Sequence, residues 1–202
     1  GELAEQHAGV LAAVFEHQVE VPAEEGELLG VRRAPLRAAG GAVYLIDTTA
    51  GAEIGKVVPS DGEGGDQFGY SVSLDGSTLL VGARWEDTGE NQAGAAYLFD
   101  VSDPASPVEL AKLTPPSPDP QDFFGFSVAV SGDVALVGAM FDDDLGLDSG
   151  AVYVYDISTP TAPVLAKKLL PSDGNATDDF GWSVGIDGAA AVVGSRTDDA
   201  LF

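Results

Sequence analysis

The sequence predicts an all-β protein assembled from repeated four-stranded antiparallel sheets. The first observation is a Phe-Gly-aromatic-Ser-Val pattern that begins at Phe68, Phe124 and Phe180, a constant spacing of 56 residues (124 − 68 and 180 − 124). The second is a two-residue turn signal after each copy, and the third is a Gly-Ala-x-Tyr segment that begins at Gly94 and again at Gly150. A long period with tight turns inside it is typical of repeat architectures in which each unit is one small sheet.

The first strand of each unit carries the aromatic pattern. In the copy that begins at Phe124, large side chains alternate with small ones. The alternation predicts that Phe124 and Phe126 share one face of the strand, with Gly125 and Ser127 on the other. A strand of this kind suits a sheet that packs against neighbours on both of its faces.

Three further strands are predicted within each unit. A hairpin signal that needs positive φ follows the first strand in every copy; these signals are Asp75-Gly76, Ser131-Gly132 and Asp187-Gly188. The apolar run 135–139 then predicts a buried second strand, and 151–155 and 164–170 predict a third and a fourth. Four antiparallel strands in 56 residues is the size of one blade of a β-propeller, whereas a parallel solenoid contains no tight hairpins. The predicted fold is a partial β-propeller made of four-stranded antiparallel blades.

The repeat divides the 202-residue chain into five parts. Residues 41–67 are predicted to be the end of one blade, 68–123 and 124–179 to be whole blades, and 180–202 to be the truncated start of a further blade. Residues 1–40 are a leader without the repeat. In the leader, apolar residues at spacings near three, four and seven predict a short amphipathic helix; they are Leu3, Val10, Leu11, Val14 and Phe15. A second interpretation is that residues 1–40 are not native sequence. We expect the chain to be a fragment of a longer one.

Composition narrows the classes of function. The formal net charge of −24 disfavours nucleic acid and anionic membrane surfaces as partners and favours cations and basic surfaces. The chain has no cysteine, and no apolar run approaches the roughly 20 residues of a membrane span, so membrane insertion is not expected. Residues 41–202 also contain no histidine, which removes the commonest acid–base catalyst and most transition-metal sites. We therefore expect the chain not to be an enzyme.

The repeated residues resemble the FG-GAP repeat, which is found in the integrin α-subunit propeller and in many bacterial secreted proteins. Phe-Gly is followed in each copy by a Gly-Ala-like element, at Gly82-Ala83, Gly138-Ala139 and Gly194-Ser195. None of these elements is followed by proline, so the match is closer to the bacterial form.

The resemblance covers residues 41–202 and implies a β-propeller of about seven blades. It also implies an extracellular or cell-surface protein that acts in adhesion or ligand binding. The expected partners are a protein or glycan ligand at a propeller rim and the remaining blades of the same longer chain. Two alternatives stay open: an accessory propeller domain of a secreted hydrolase, and a purely structural repeat array.

The acidic loop after the second predicted strand is the candidate metal site. Asp142, Asp144 and Asp148 place carboxylates at positions one, three and seven of a tight turn, with Gly146 where a further acid would be expected. Calcium takes six to eight oxygen ligands, which such a loop can supply, and the family resemblance implies calcium binding at loops of this type. A weaker candidate is the equivalent loop with Glu86, Asp87 and Glu90. The competing interpretation is that these side chains stabilise turns by bonding their own backbone.

Two other sets of side chains recur near these loops. Asp66, Asp122 and Asp178 each precede a Phe-Gly by two residues, and this periodicity predicts a turn cap rather than a ligand. Trp85 and Phe141 lie beside the acidic loops, where exposed rings could stack on sugars, although packing between blades is the simpler role.

Overall fold

The computed structural model describes residues 10–14, 40–87 and 89–198, the first of these segments by its backbone alone. This part of the chain contains strands and turns and no helix. Its strands are β1 Val10–Val14, β2 Val43–Asp47, β3 Ala52–Val57, β4 Phe68–Asp75, β5 Thr78–Ala83, β6 Ala95–Asp100, β7 Val108–Leu113, β8 Phe124–Ser131, β9 Val134–Ala139, β10 Ala151–Asp156, β11 Val164–Leu169, β12 Ser183–Asp187 and β13 Ala190–Gly194. No helix in the described part is long and apolar enough to cross a membrane.

The strands form blade-like antiparallel sheets in which neighbours in the chain are neighbours in the sheet. Two sheets are complete, with the orders β4-β5-β6-β7 and β8-β9-β10-β11. A three-stranded sheet, β1-β2-β3, precedes them, and the hairpin β12-β13 follows. Tight turns at Gly76, Gly132 and Gly188, each with φ near +55°, connect the first two strands of a unit. The prediction of an all-β partial propeller is confirmed.

The sheets stack face to face, and an apolar core fills each space between them. Val43 and Leu45 of the first sheet pack in one cluster with Tyr97 and Phe99 of the second. A second cluster joins the two complete sheets, and a third joins the β8–β11 sheet to the last hairpin. Because the complete sheets bury side chains on both faces, their second strands are almost continuously apolar.

The leader does not form the predicted helix at Val10–Val14. This segment is strand β1, which pairs antiparallel with β2 so that Val10 lies opposite Asp47 and Val14 opposite Val43. It occupies the position that β5 and β9 occupy in the complete sheets, beside the third strand. Pairing with β1 gives hydrogen-bond partners to the backbone groups along this edge of β2, which would otherwise lack partners in the sheet. The remainder of the predicted helix lies outside the described residues.

A β-bulge changes the direction of the aromatic residue after Phe-Gly. In β8, Phe124 pairs with Ala139, but the next paired residue is Ser127, which lies opposite Gly138. The two intervening residues are not matched on the partner strand, and Gly125 adopts φ +87°. The prediction that Phe124 and Phe126 share one face of the strand is therefore wrong: the Phe124 ring lies in the apolar core, and Phe126 contacts aromatic rings of the neighbouring sheets.

Candidate functional site

One end of the stacked sheets collects the acidic loops and the starts of the first strands. Antiparallel strands alternate in direction, so the loops between second and third strands lie at the same end as the connections between sheets. Backbone hydrogen bonds join these segments, from Trp85 N to Asp66 O (3.2 Å) and from Phe141 N to Asp122 O (3.3 Å). We call this end of the molecule the loop end; the tight hairpins lie at the other end.

Three aromatic side chains form a continuous row at the loop end. Tyr70 of β4 lies 5.1 Å from Phe126 of β8, and Phe126 lies 4.8 Å from Trp182, which precedes β12, measured between ring centroids. The three residues are the aromatic position of the three Phe-Gly patterns, and Tyr70 and Phe126 lie within the bulges of β4 and β8. We call Tyr70, Phe126 and Trp182 the aromatic row. Phe126 is buried in its middle, whereas Tyr70 is 38% exposed.

An arginine lies over each end of the aromatic row. The guanidinium carbon of Arg84 is 3.9 Å from the centre of the Tyr70 ring, and that of Arg196 is 4.1 Å from the Trp182 ring. Arg84 donates from Nε to Gln67 (2.6 Å), and Arg196 forms an ion pair with Asp179 (2.8 Å). Within the described part of the chain, the terminal nitrogens of Arg84 have no hydrogen-bond or ion-pair partner. A cation–π contact therefore lies at each end of the row, and the terminal N–H groups of Arg84 remain as donors that no described residue accepts.

The two rings that the sequence marked as possible sugar platforms adjoin this row. Trp85 lies beside Arg84, with 5.1 Å from the guanidinium carbon to the ring centre, and its Nε1 is buried with no hydrogen-bond partner in the described residues. Phe141 packs on Phe123 at 5.1 Å. Both residues are half-buried, so each contributes to packing and stays partly accessible to solvent.

The acidic loop after β9 brings together two of its three predicted metal ligands, around a lysine. Lys168 of β11 contacts Asp142 Oδ2 at 2.6 Å and Asp144 Oδ2 at 2.7 Å through its ammonium nitrogen. The Tyr153 hydroxyl donates to the same Asp142 oxygen over 2.8 Å. The Asp142 side chain is almost fully buried, so protein donors replace the water that it loses.

The third predicted ligand, Asp148, has a different environment. Its backbone adopts φ +57°, and its amide donates to Asp143 Oδ1 over 2.7 Å. Burial, together with the nearby charges of Asp143 and Asp179, raises the pKa of its carboxyl. In the residues that the structure describes, no group of three or more acidic, histidine or cysteine side chains is arranged to hold a metal ion. Asp142, Asp144 and Asp148 as they stand do not fit calcium, because an ammonium already lies against two of them.

The weaker candidate loop has the same arrangement with other acids. Glu86 is buried and pairs with Lys112 of β7 (2.9 Å), which also contacts Asp61 (2.6 Å). Asp87 accepts the backbone amide of Gln92 at 2.7 Å, as Asp143 accepts that of Asp148 in the next unit. Glu90 is exposed. The structure thus supports the turn-stabilising interpretation for Asp87 and Asp143.

The acids two residues before each Phe-Gly cap turns, as the sequence predicts. Each accepts a backbone amide three residues earlier through Oδ2: Asp66 from Glu63, Asp122 from Asp119 and Asp178 from Asn175. All three are buried. Burial and the neighbouring charge of Asp142 raise the pKa of Asp122 to about 7.

Sequence reasoning missed the lysines that organise these loops. Lys56, Lys112 and Lys168 follow one another at the period of the repeat, and each lies directly across the sheet from a tyrosine. The constant spacing of these three lysines is the sequence signal that identifies them. A metal-ligand pattern contains only the acids, and a fourth-strand lysine far along the chain gives no local sign of reaching them.

Four-stranded sheets recur along the chain, and Phe-Gly contacts recur between them. Both features agree with the comparison with known families. The model of the FG-GAP repeat matches residues 52–99, 107–155 and 164–201, more than half of the chain. The chain belongs to the FG-GAP repeat family. Each FG-GAP match begins within one residue of the start of the last strand of one sheet, and the first two matches end in the third strand of the next. The sequence repeat is thus offset from the sheet by one strand, so every repeat links two sheets. No curated protein sequence matches the chain.

Proposed function

We propose that this FG-GAP propeller domain is a non-catalytic binding or adhesion module of an extracellular or cell-surface protein, and that its ligand contacts the aromatic row at the loop end. FG-GAP repeats are typical of extracellular and surface proteins, which supports the location. The observation that carries the proposal is the row itself. It spans three sheets, it is bracketed by arginines, and it includes an exposed tyrosine.

The chemistry of the row favours an oligosaccharide ligand. Tyr70 and the partly accessible Trp85 offer apolar ring surface, while the terminal nitrogens of Arg84 offer donors for hydroxyl oxygens. The net charge of −24 opposes the approach of an anionic glycan, so we favour a neutral one. Rigid sheets hold these side chains in place, which limits the entropy lost on binding.

Calorimetric titration of the full chain with neutral hexasaccharides of glucose and of N-acetylglucosamine tests the proposal. We expect at least one probe to bind with a dissociation constant in the millimolar range or tighter, and Tyr70→Ala and Arg84→Ala each to weaken it at least tenfold. Val108→Ala, which truncates an exposed side chain on the outer strand β7, is the matched control and should bind as the unaltered chain does. Circular dichroism verifies that each variant is folded.

Two outcomes would contradict this function. If no probe binds, or if the row variants bind as tightly as Val108→Ala, the aromatic row is not the glycan site. A protein ligand at the same row would then be tested with immobilised matrix proteins and the same variants. Surface proteolysis of intact producing cells tests the location: protection of the domain from added protease would count against exposure at the surface.

A further inference from the structure

A lysine and a tyrosine form a repeated pair in the outer half of each sheet. Lys112 lies opposite Tyr97 and Lys168 opposite Tyr153, in the register of the fourth and third strands. The ammonium nitrogens lie 5.3 and 5.1 Å from the centres of the tyrosine rings. A charge held over an aromatic face is attracted by the ring and has little freedom to move. Each lysine is thus aimed toward the loop end by its own sheet.

Both ammonium groups meet two carboxylates there. Lys168 contacts Asp142 and Asp144 at 2.6 and 2.7 Å, and Lys112 contacts Asp61 and Glu86 at 2.6 and 2.9 Å. The tyrosine of each pair donates its hydroxyl to one of these acids, Tyr153 to Asp142 and Tyr97 to Asp61. One acid of each pair, Glu86 or Asp142, occupies the same position of the repeat (142 − 86 = 56), whereas the second, Asp61 or Asp144, comes from a different position. The constant elements of the arrangement are therefore the lysine, the tyrosine and one buried acid, and the second acid varies.

We propose that Lys112 and Lys168 serve as built-in cations that hold the acidic loops in place of a divalent metal ion. Each supplies the positive charge that buried carboxylates require, and each is covalently attached to the neighbouring strand. A calcium ion would need six to eight oxygen ligands at about 2.3–2.6 Å. To bind Asp142, it would have to displace an ammonium that already contacts both oxygens of that carboxylate.

The charge state of the lysines is consistent with this role. Burial by itself would lower the pKa of Lys168, but hydrogen bonds to Asp142 and Asp144 outweigh burial and raise the pKa above its ordinary value. Lys112 behaves in the same way with Asp61 and Glu86. Both side chains thus remain protonated throughout the neutral range, as a permanent cation in these loops requires.

Thermal unfolding of the full chain, with calcium, magnesium or a chelator at constant ionic strength, tests the proposal. We expect the chelator to leave Tm unchanged and calcium to act no differently from magnesium. Lys168→Met should lower Tm by about 5–10 °C, because Asp142 loses its partner while buried. Calcium should then restore several degrees, since the freed carboxylates become available to it. Lys167→Met is the matched control: it removes the same charge from the adjacent, exposed position and should show neither effect.

Three results would overturn the proposal. The first is a lower Tm of the unaltered chain in chelator. The second is a calcium-specific rise of Tm in the unaltered chain that Asp144→Asn abolishes, a change at a half-exposed residue that should fold normally. The third is a calcium response of Lys168→Met no larger than that of Lys167→Met. If Lys168→Met does not fold, Lys168→Arg and Asp144→Asn decide the matter: both should be as insensitive to calcium as the unaltered chain, and a calcium-specific rise of Tm in the unaltered chain that either variant loses would identify a metal site.

Discussion

The hydroxyl of Ser71 donates a hydrogen bond to the carbonyl oxygen of Gly125 in the next sheet, over 2.8 Å. Ser127 makes the same bond to Gly181, over 2.7 Å. Each donor is the serine of one Phe-Gly-aromatic-Ser pattern, and each acceptor is the glycine of the following pattern. The repeat therefore carries, within five residues, both halves of the connection between neighbouring sheets.

Replacing Ser127 should weaken the stacking of the sheets. Ser127→Ala leaves the buried carbonyl of Gly181 without its donor, and we expect a loss of about 1–3 kcal/mol in the free energy of unfolding. Urea unfolding monitored by tryptophan fluorescence measures it. Ser183→Ala is the control, since Ser183 is exposed, and should change the free energy by less than about 0.5 kcal/mol. Equal effects at the two serines would show that the bond between sheets contributes nothing.

The glycine of the Gly-Ala element is required by the same contact. A Cβ atom at Gly138 would overlap the carbonyl oxygen of Gly181 and the hydroxyl of Ser127, so the sheets would have to separate. We expect Gly138→Ala to destabilise the chain by about 1–3 kcal/mol or more. Gly185→Ala, where the nearest atom is a methyl of Val192 at 3.2 Å, should cost less than about 1 kcal/mol. Similar denaturation midpoints for the two variants would contradict the close approach.

The fold could be predicted because the same local sequence signals recur in each of the three repeats. Hairpin signals at Gly76, Gly132 and Gly188 fix antiparallel pairing, and an apolar second strand fixes burial on both faces. One copy of such a pattern would be ambiguous. Three copies with a constant spacing admit few architectures, because every unit must pack on its neighbours in the same way.

The candidate site was only partly predictable, for two physical reasons. The bulge at Gly125 breaks the two-residue alternation that places side chains on faces, so the aromatic row could not be inferred from Phe126. The partner of Asp142 is 26 residues away in Lys168, on the far side of the sheet's third strand. An ion pair between residues so far apart depends on the register of the strands, and a local sequence motif carries no information about that register.

The Phe-Gly phenylalanine anchors the core between the two complete sheets. The Phe124 side chain is fully buried, with edge-to-face contacts to Tyr153 and Tyr155 at 5.2 and 6.2 Å between ring centroids. We expect Phe124→Ala to destabilise the chain by about 3–5 kcal/mol, since the cavity adds to the lost burial. Phe123→Ala, at the adjacent half-buried ring, should cost less. A loss below about 1 kcal/mol in urea unfolding of Phe124→Ala would place the ring outside the core.

The buried turn cap Asp122 links stability to pH in a direction unusual for a carboxylate. Its pKa is raised to about 7, first by burial and then by the charges of Asp142, Asp119 and Asp143; the amide of Asp119 acts in the opposite sense. The unfolded chain releases this proton near pH 4, whereas the folded chain keeps it until about pH 7. The folded state therefore binds more protons across this window, and the contribution of Asp122 to stability falls as pH rises through it.

Asp122→Asn should remove this pH dependence. The amide is neutral at every pH and can still accept the Asp119 amide through its oxygen, so we expect the variant to match the unaltered chain near pH 4. From pH 4 to pH 7 the variant should become progressively more stable than the unaltered chain. The difference in the free energy of unfolding should reach on the order of 1–3 kcal/mol at pH 8. Urea unfolding at four pH values measures the difference. Asp156→Asn is the control of opposite sign, because the hydrogen bond from Ser158 lowers the pKa of Asp156, so this variant should be the less stable one at neutral pH. A difference for Asp122→Asn that is constant with pH would mean that its carboxyl titrates alike in the folded and unfolded states.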